Sequence, residues 1–339
     1  MKIAMYDTKE YDKVSFEKYS LSRNIEFKFI ESKLNIDTAD LSNGCDGVCI
    51  FVNDDASAPV IKKLYSLGVR NIYLRCAGFN NVDVGECFGK IHVYRVPAYS
   101  PYAVAEHAFS LIATSNRRIH KAYNRIRDYN FSLVNLTGFD LYGKTVGVIG
   151  TGKIGKCFIN IAKGYGMNVI AYDKYPSEIE GVKYVELNEL FKNSDIISFH
   201  CPLTEESHHL LNKETIAMCK KGVMVVNTSR GALIDSTALL EAIKNRQVGS
   251  ACLDVYEEES DVFFQDKSNH IMNDDTLLQL IAMPNVLITS HQAFLTNEAL
   301  DNIADTATNN MLNHPIDNEL CYHCGKQENC KRKRFTKCF

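Results

Sequence analysis

The 339-residue sequence lacks any run approaching the roughly twenty apolar residues that a membrane-spanning helix needs. Charged residues follow Met1–Asp7 before any apolar core or small-residue cleavage site appears, so we expect no export signal and a cytosolic location. Neither sign of charge dominates, because the formal net charge is only −3. We therefore expect neither nucleic acid nor a membrane as a partner.

No internal repeat or low-complexity linker divides the chain, yet its length exceeds what one hydrophobic core usually supports. Short β-branched runs alternate with helical patterns, which is typical of parallel sheets with crossover helices. We predict an α/β protein with two Rossmann-like, doubly wound parallel-sheet domains. The predicted strands cover residues 2–7, 24–30, 47–52, 72–76 and 92–96 in the first series, and 145–150, 168–173, 196–201, 223–229, 250–255 and 286–291 in the second.

Between the two series, residues 101–129 predict one long amphipathic helix. Its apolar side chains recur at near-helical spacing: Val104, Ala108, Leu111, Ile119, Tyr123 and Ile126. Such a helix suits a hinge or a packing surface between subunits, and it is equally compatible with a place in the core. A second helical stretch, residues 298–313, would return the chain to the first domain.

A glycine-rich motif connects the first strand of the second series to a helix: Gly150, Thr151, Gly152, Lys153, Ile154 and Gly155. Gly150 permits the tight turn, Gly152 lets a pyrophosphate approach the backbone, and Gly155 lets helix and strand pack closely. Asp173 ends the next predicted strand, where its carboxylate would bind the adenosine ribose. Because that carboxylate would repel a 2′-phosphate, we predict NAD in preference to NADP.

Further polar residues follow the later strands, at the sheet edge where open α/β sheets bind ligands. Those expected to contact the cofactor are His200, Cys201, Pro202, Thr228, Ser229 and Asp254. Arg230 can hold a substrate carboxylate through its planar fork, and His291 can exchange a proton with a carbonyl oxygen. A carboxylate on the far imidazole nitrogen would orient the ring. This set suffices for the reduction of a 2-keto acid.

At these motifs the chain resembles the D-isomer-specific 2-hydroxyacid dehydrogenases, closest to their D-lactate and D-2-hydroxyisocaproate branch. The resemblance spans roughly residues 1–315 and includes residues 96–101, 150–155, 227–231, 253–257 and 283–291. It implies catalytic roles for Arg230, Glu259 and His291. Glu259 is chosen by its spacing from Arg230, and Glu257 is the alternative. The acidic residues would otherwise form a solvated loop without a catalytic role.

The same resemblance implies a substrate-binding domain of residues 1–99 completed by 296–320, and an NAD-binding domain of residues 100–295. Backbone N–H groups around Cys76, Ala77 and Gly78 would bind the substrate carboxylate, with Tyr99 and Phe51 lining the pocket. Tyr99 is equally compatible with a core position. The active site would lie in a cleft that closes over the substrate.

The implied activity is the reduction of pyruvate or a bulkier 2-keto acid to the D-2-hydroxy acid by a homodimer, with hydride from NADH and a proton from His291. Phosphoglycerate oxidation would call for a further cationic phosphate site. An NAD-sensing transcriptional corepressor of the same fold is the alternative from a different class. Both share this fold and similar active-site residues; the lack of long disordered flanks favours the enzyme, and an activity assay separates the two.

Twelve cysteines are many for such a protein, and eight of them are scattered where we expect reduced thiols. The other four, Cys321, Cys324, Cys330 and Cys338, lie in a basic tail of residues 321–339. Zinc or iron–sulfur binding, a flexible tail with reduced thiols, and redox sensing all remain open for it. In the rest of the chain we expect no metal site, and we expect His208 and His209 to form a solvated turn.

Overall fold

The computed structural model describes residues 1–259, 262–315 and 317–320. The chain divides into two compact units, one formed by Met1–Ser100 with the chain from Leu295 onward, the other by Pro101–Phe294. The tail cysteines therefore lie outside the described residues.

The first unit contains a six-stranded sheet in the order β13-β5-β4-β3-β1-β2. Its strands are β1 (Lys2–Met5), β2 (Glu26–Phe29), β3 (Gly47–Ile50), β4 (Asn71–Leu74), β5 (His92–Tyr94) and β13 (Glu319–Leu320). All neighbours pair in parallel except β13, which is antiparallel to β5. Its helices are α1 (Glu10–Arg23), α2 (Ala58–Ser66), α3 (Val84–Cys87) and α11 (Asn297–Asn313).

The second unit contains a seven-stranded parallel sheet in the order β12-β11-β10-β9-β6-β7-β8. Its strands are β6 (Thr145–Ile149), β7 (Asn168–Tyr172), β8 (Lys183–Tyr184), β9 (Ile196–Phe199), β10 (Val223–Asn227), β11 (Val248–Leu253) and β12 (Val286–Ile288). Its helices are α4 (Pro101–Arg117), α5 (Ile119–Arg127), α6 (Lys153–Gly164), α7 (Leu187–Asn193), α8 (Lys213–Met218), α9 (Ser236–Lys244) and α10 (Asp275–Ala282).

Strand β10 illustrates why this sheet is covered on both faces. Val223 and Val225 point into one hydrophobic cluster, while Met224 and Val226 point into the other. Successive side chains of a strand alternate between faces, so a strand without polar residues must be buried on both sides. The predicted α/β class with two parallel sheets is confirmed.

The prediction of one helix over residues 101–129 is wrong. Arg118 adopts a left-handed conformation (φ 53°) and separates α4 from α5. Helix α4 buries Val104, Ala108 and Leu111, whereas α5 has no buried residue. The apolar spacing is similar on either side of Arg118, but the two helices have different surroundings.

No helix among residues 1–259, 262–315 and 317–320 is long and apolar enough to cross a membrane.

Candidate active site

The glycine motif forms the turn between β6 and α6, as its spacing predicts. Gly150 has a φ of +95°, and a Cβ there would lie 2.6 Å from the backbone of His200. A Cβ on Gly155 would lie 2.1 Å from the carbonyl oxygen of Gly150, so only glycine allows α6 to pack this closely. A Cβ on Gly152 would meet nothing within 4 Å, which leaves open space in front of the first turn of α6.

Asp173 lies directly after β7 and turns its carboxylate toward this glycine turn. Its Oδ2 accepts hydrogen bonds from the backbone N–H of Thr151 at 2.6 Å and from the Thr151 hydroxyl at 2.9 Å. Tyr184 in turn donates to the Thr151 hydroxyl at 3.0 Å. Carboxylate oxygens have further lone pairs, so Asp173 can still accept from a ribose hydroxyl. Within the motif, Lys153 is exposed and Ile154 is half-buried.

Two buried polar atoms that have no hydrogen-bond partner among the described residues lie at the ends of β9 and β10, at the same sheet edge. They are the Nδ1 of His200 and the Oγ1 of Thr228. Burial lowers the pKa of His200 to about 3, so its ring is neutral. Its Nε2 lies 2.9 Å from the Ser198 hydroxyl. Buried polar atoms normally have partners; these two, with the open space at Gly152, fit the binding of a dinucleotide.

The residues beside them complete this edge. Burial raises the pKa of Cys201 to about 12, so it remains a thiol. Pro202 is exposed, and Ser229 donates through its hydroxyl to the carbonyl of Phe199 at 2.8 Å. Ser229 therefore ties the end of β10 to the end of β9.

A pair of glycine substitutions separates cofactor contact from folding. Gly152→Ala is expected to leave the thermal unfolding temperature unchanged, because its methyl group enters open space, and to weaken NADH binding. Gly155→Ala is expected to lower the unfolding temperature, because its methyl group overlaps the Gly150 carbonyl. NADH fluorescence titration and thermal unfolding measure the two effects. Unchanged NADH affinity in Gly152→Ala would contradict the placement of the cofactor.

Arg230, Glu259 and His291 follow three adjacent strands, β10, β11 and β12. The Nδ1 of His291 lies 2.6 Å from Oε1 of Glu259, and both side chains are mostly buried. The other oxygen of Glu259 accepts the backbone N–H of Tyr256 at 3.0 Å. The structure thus places Glu259 against His291, whereas the alternative acid, Glu257, contacts His209.

The Arg230 guanidinium donates to the carbonyl of Ser229 at 2.6 Å, and no carboxylate in residues 1–259, 262–315 and 317–320 pairs with it. Asn227 holds the Arg230 carbonyl at 2.8 Å. A Cβ on Gly231 would lie 2.0 Å from the backbone of Tyr256. The backbone after Arg230 therefore packs directly on the loop that carries Glu259.

Asp254 fixes the backbone segment that carries His291 through hydrogen bonds. His291 has a left-handed φ of 53°, and its N–H donates to the Asp254 carbonyl at 2.6 Å. The fully buried Asp254 carboxylate accepts the N–H groups of Gln292 and Ala293 at 2.9 Å each and the Thr289 hydroxyl at 2.5 Å. These bonds position the segment that carries His291, and the direct cofactor contact predicted for Asp254 from the sequence stays a prediction.

Sequence reasoning missed His107 on α4, which belongs to the same network. Its Nε2 lies 3.1 Å from the Thr289 hydroxyl and 3.3 Å from Oδ1 of Asp254. A histidine between the buried Val104 and Ala108 of an otherwise apolar helix face was the available signal.

The predicted solvated turn at His208 and His209 is wrong in part. Only His208 is exposed; His209 is half-buried and lies 2.5 Å from Glu257.

The predicted substrate residues of the first unit follow β3, β4 and β5. Phe51 is nearly buried, with the Arg75 guanidinium 4.8 Å from its ring centre, and the Cys76 thiol donates to the Gly78 carbonyl at 3.3 Å. The N–H groups of Ala77 and Gly78 have no acceptor among the described residues. Tyr99 is half-buried, which does not correspond to a core aromatic.

A family model described as "D-isomer specific 2-hydroxyacid dehydrogenase, NAD binding domain" matches residues 109–293. The chain is 55% identical over 318 residues to D-lactate dehydrogenase of Escherichia coli strain K12, covering 92% of this chain and 96% of that protein. Among solved structures, the apo form of D-lactate dehydrogenase from Escherichia coli has a TM-score of 0.86 and 52% identity, covering 94% of this chain and 100% of that one.

One of the similar solved structures is a complex with NAD. The D-isomer specific 2-hydroxyacid dehydrogenase from Lactobacillus delbrueckii ssp. bulgaricus has a TM-score of 0.76 and 31% identity, covering 92% of this chain and 96% of that one. These likenesses confirm the expected NAD cofactor and favour the enzyme over a corepressor. The chain belongs to the D-isomer specific 2-hydroxyacid dehydrogenases, and it is an NAD-dependent enzyme that interconverts 2-keto acids and D-2-hydroxy acids.

Proposed function

We propose that the chain is a D-lactate dehydrogenase that reduces pyruvate to D-lactate. The observation that carries the chemistry is the 2.6 Å contact between His291 Nδ1 and Glu259 Oε1. It fixes the ring and leaves Nε2, which has no partner among the described residues, to exchange a proton with substrate. The choice of pyruvate is supported by the 55% identical relative, which is named for D-lactate.

NADH supplies the hydride. Arg230 binds the substrate carboxylate through two parallel N–H groups and polarises the 2-keto oxygen. His291 donates the proton that this oxygen needs as hydride reaches the carbon, and it recovers that proton in the reverse direction. Glu259 orients the imidazole and stabilises its positive charge.

Gly150, Gly152 and Gly155 would hold the pyrophosphate of the cofactor at the start of α6, and Asp173 would accept hydrogen bonds from its adenosine ribose. Side chains at the adjacent strand ends would also contact the cofactor, among them His200 and Thr228. In the first unit, we propose that the N–H groups of Ala77 and Gly78 bind a substrate carboxylate. We place the enzyme in the cytosol, a location supported by reduced thiols such as Cys49 and Cys252.

NADH oxidation in the presence of pyruvate, 2-ketoisocaproate and phenylpyruvate tests the substrate, with chiral analysis of the product. We expect the highest kcat/KM for pyruvate and D-lactate as the only enantiomer. A higher kcat/KM for either bulkier keto acid would overturn the choice of pyruvate. L-lactate as the product would overturn the proposed D-specific reaction.

We further propose a homodimer that forms through α5 and the irregular segment that follows it. Large apolar side chains there are 54–85% exposed: Ile119, Tyr123, Ile126, Tyr129, Phe131, Leu133, Val134 and Tyr142. Monomeric proteins rarely expose so many large apolar side chains together. The family resemblance supports a second copy of this chain as the occupant.

The double substitution Phe131→Asp and Leu133→Asp is expected to convert a dimer into a monomer, because it places carboxylates at an apolar interface. Light scattering coupled to size-exclusion chromatography measures the mass. Leu21→Asp is the matched control, since Leu21 is 93% exposed on α1 of the other unit. A wild-type monomer, or a double variant that still has the mass of two chains, would refute this interface.

A further inference from the structure

A group of metal-ligating side chains lies beside the active-site loop without a role in the reaction. His208, His209 and Glu257 each offer one ligand atom, and these atoms all lie within 4.8 Å of one another. Glu257 lies 48 residues beyond His209, so sequence spacing gave no sign of the group.

The backbone brings the two histidines to one side. His209 has a left-handed φ of 49°, and the two rings stack with centroids 3.9 Å apart and planes inclined by 27°. Neighbouring side chains of an extended chain would point in opposite directions. The turn is anchored by the N–H of His209, which donates to the carbonyl of Ala232 at 2.8 Å.

Glu257 approaches from the loop after β11. Its Oε1 lies 2.5 Å from Nε2 of His209, and both side chains are partly buried. Tyr256 fixes this loop from behind, since it is buried and its hydroxyl donates to Asp274 at 3.1 Å. The carboxylate and one imidazole are thus preorganised, while exposed His208 can rotate toward them.

We propose that His208, His209 and Glu257 bind a divalent transition metal ion of the zinc type. Two imidazoles and one carboxylate, with water completing the shell, form a donor set that zinc uses at ligand distances of about 2.0–2.2 Å. The ion would bind between Nε2 of His209 and Oε1 of Glu257, which lie 2.5 Å apart without it.

Bound metal would also restrain the catalytic loop, a consequence that rests on the proposed function. Glu257 is two residues from Glu259, which holds His291. Ala232, which anchors His209, is two residues from Arg230. A metal that ties His209 to Glu257 through its own bonds therefore acts on both segments, and we expect it to slow turnover.

Cobalt(II) titration of the full-length protein tests the site, because cobalt occupies zinc sites and absorbs visible light. We expect one cobalt ion per chain with imidazole and carboxylate ligands. The titration is repeated in a variant with Cys321, Cys324, Cys330 and Cys338 changed to serine. Binding by the tail would give a near-ultraviolet cobalt–thiolate band that this variant loses.

His208→Ala and Glu257→Gln are expected to raise the cobalt dissociation constant about tenfold or more, because a lost ligand weakens binding at least as much as a lost outer-shell partner. His270→Ala, at an exposed histidine elsewhere in the same unit, should have no effect. His208 is exposed, so its replacement does not endanger folding. Cobalt absorption that persists in His208→Ala, or arises only from thiolates, would overturn the site.

Turnover then tests the loop restraint. Added Zn²⁺ is expected to slow NADH oxidation in the wild type and to have less effect on His208→Ala, whose activity without metal should be unchanged. Cobalt binding with unaltered turnover would overturn the restraint. A protein that binds cobalt but reduces none of the keto acids would refute the proposed function and leave the metal site in place.

Discussion

Replacing His291 with glutamine is expected to lower kcat for pyruvate reduction by about 10²–10⁴-fold, the usual contribution of a general acid. Glutamine has a similar reach but cannot release a proton to the carbonyl oxygen. The KM for pyruvate should change little, because Arg230 remains to hold the carboxylate. Steady-state NADH oxidation measures both constants.

Two further variants make this result specific. His291→Asn removes the proton donor with a residue that tolerates the left-handed backbone at this position, so a loss of activity there cannot be attributed to strain. His270→Gln makes the same substitution at an exposed histidine and should retain full activity. Wild-type kcat in both His291 variants would remove the histidine from the reaction.

Arg230→Gln is expected to lower kcat/KM for pyruvate by about 10²-fold, chiefly through a higher KM. A hydrogen bond to a charged group contributes about 1.5–3 kcal/mol, and glutamine supplies neither the charge nor the planar fork of the guanidinium. The dissociation constant of NADH should stay unchanged, since the glycine turn and Asp173 are intact. Steady-state kinetics and NADH fluorescence separate the two effects.

Arg230→Lys is the informative companion. Lysine keeps the charge but loses the planar fork, so it should recover only part of the affinity for pyruvate. Full recovery would mean that charge alone binds the substrate carboxylate. An unchanged KM in Arg230→Gln would show that the carboxylate is bound elsewhere.

The sheet strands could be predicted from sequence because the apolar run that marks a buried strand lies within the strand itself. Parallel strands covered on both faces, such as β10, need an unbroken apolar run. The glycine motif could be predicted for the same reason, since tight turn and close packing at Gly150 and Gly155 depend on nearby residues. Arg230 and His291 could be placed at one sheet edge once the strands were ordered.

The rest depends on contacts between distant residues. The left-handed Arg118 is not a glycine, so nothing in the local sequence marked the end of α4. His107 reaches Asp254 only after α4 packs on the sheet, and His209 meets Glu257 only when the loop after β11 is in place. Spacing from Arg230 favoured Glu259 and left Glu257 as the alternative, and the direction of the two side chains separates them.

The helix break at Arg118 separates α4, whose side chains are constrained by packing in the interior, from α5, whose side chains are not. Substitutions in α4 alter the interior of the second unit, so natural selection acts on them through folding. No residue of α5 is buried, so substitutions there alter mainly the surface of the unit. The proposed subunit interface can therefore diverge between lineages while the chemistry of the second unit stays the same.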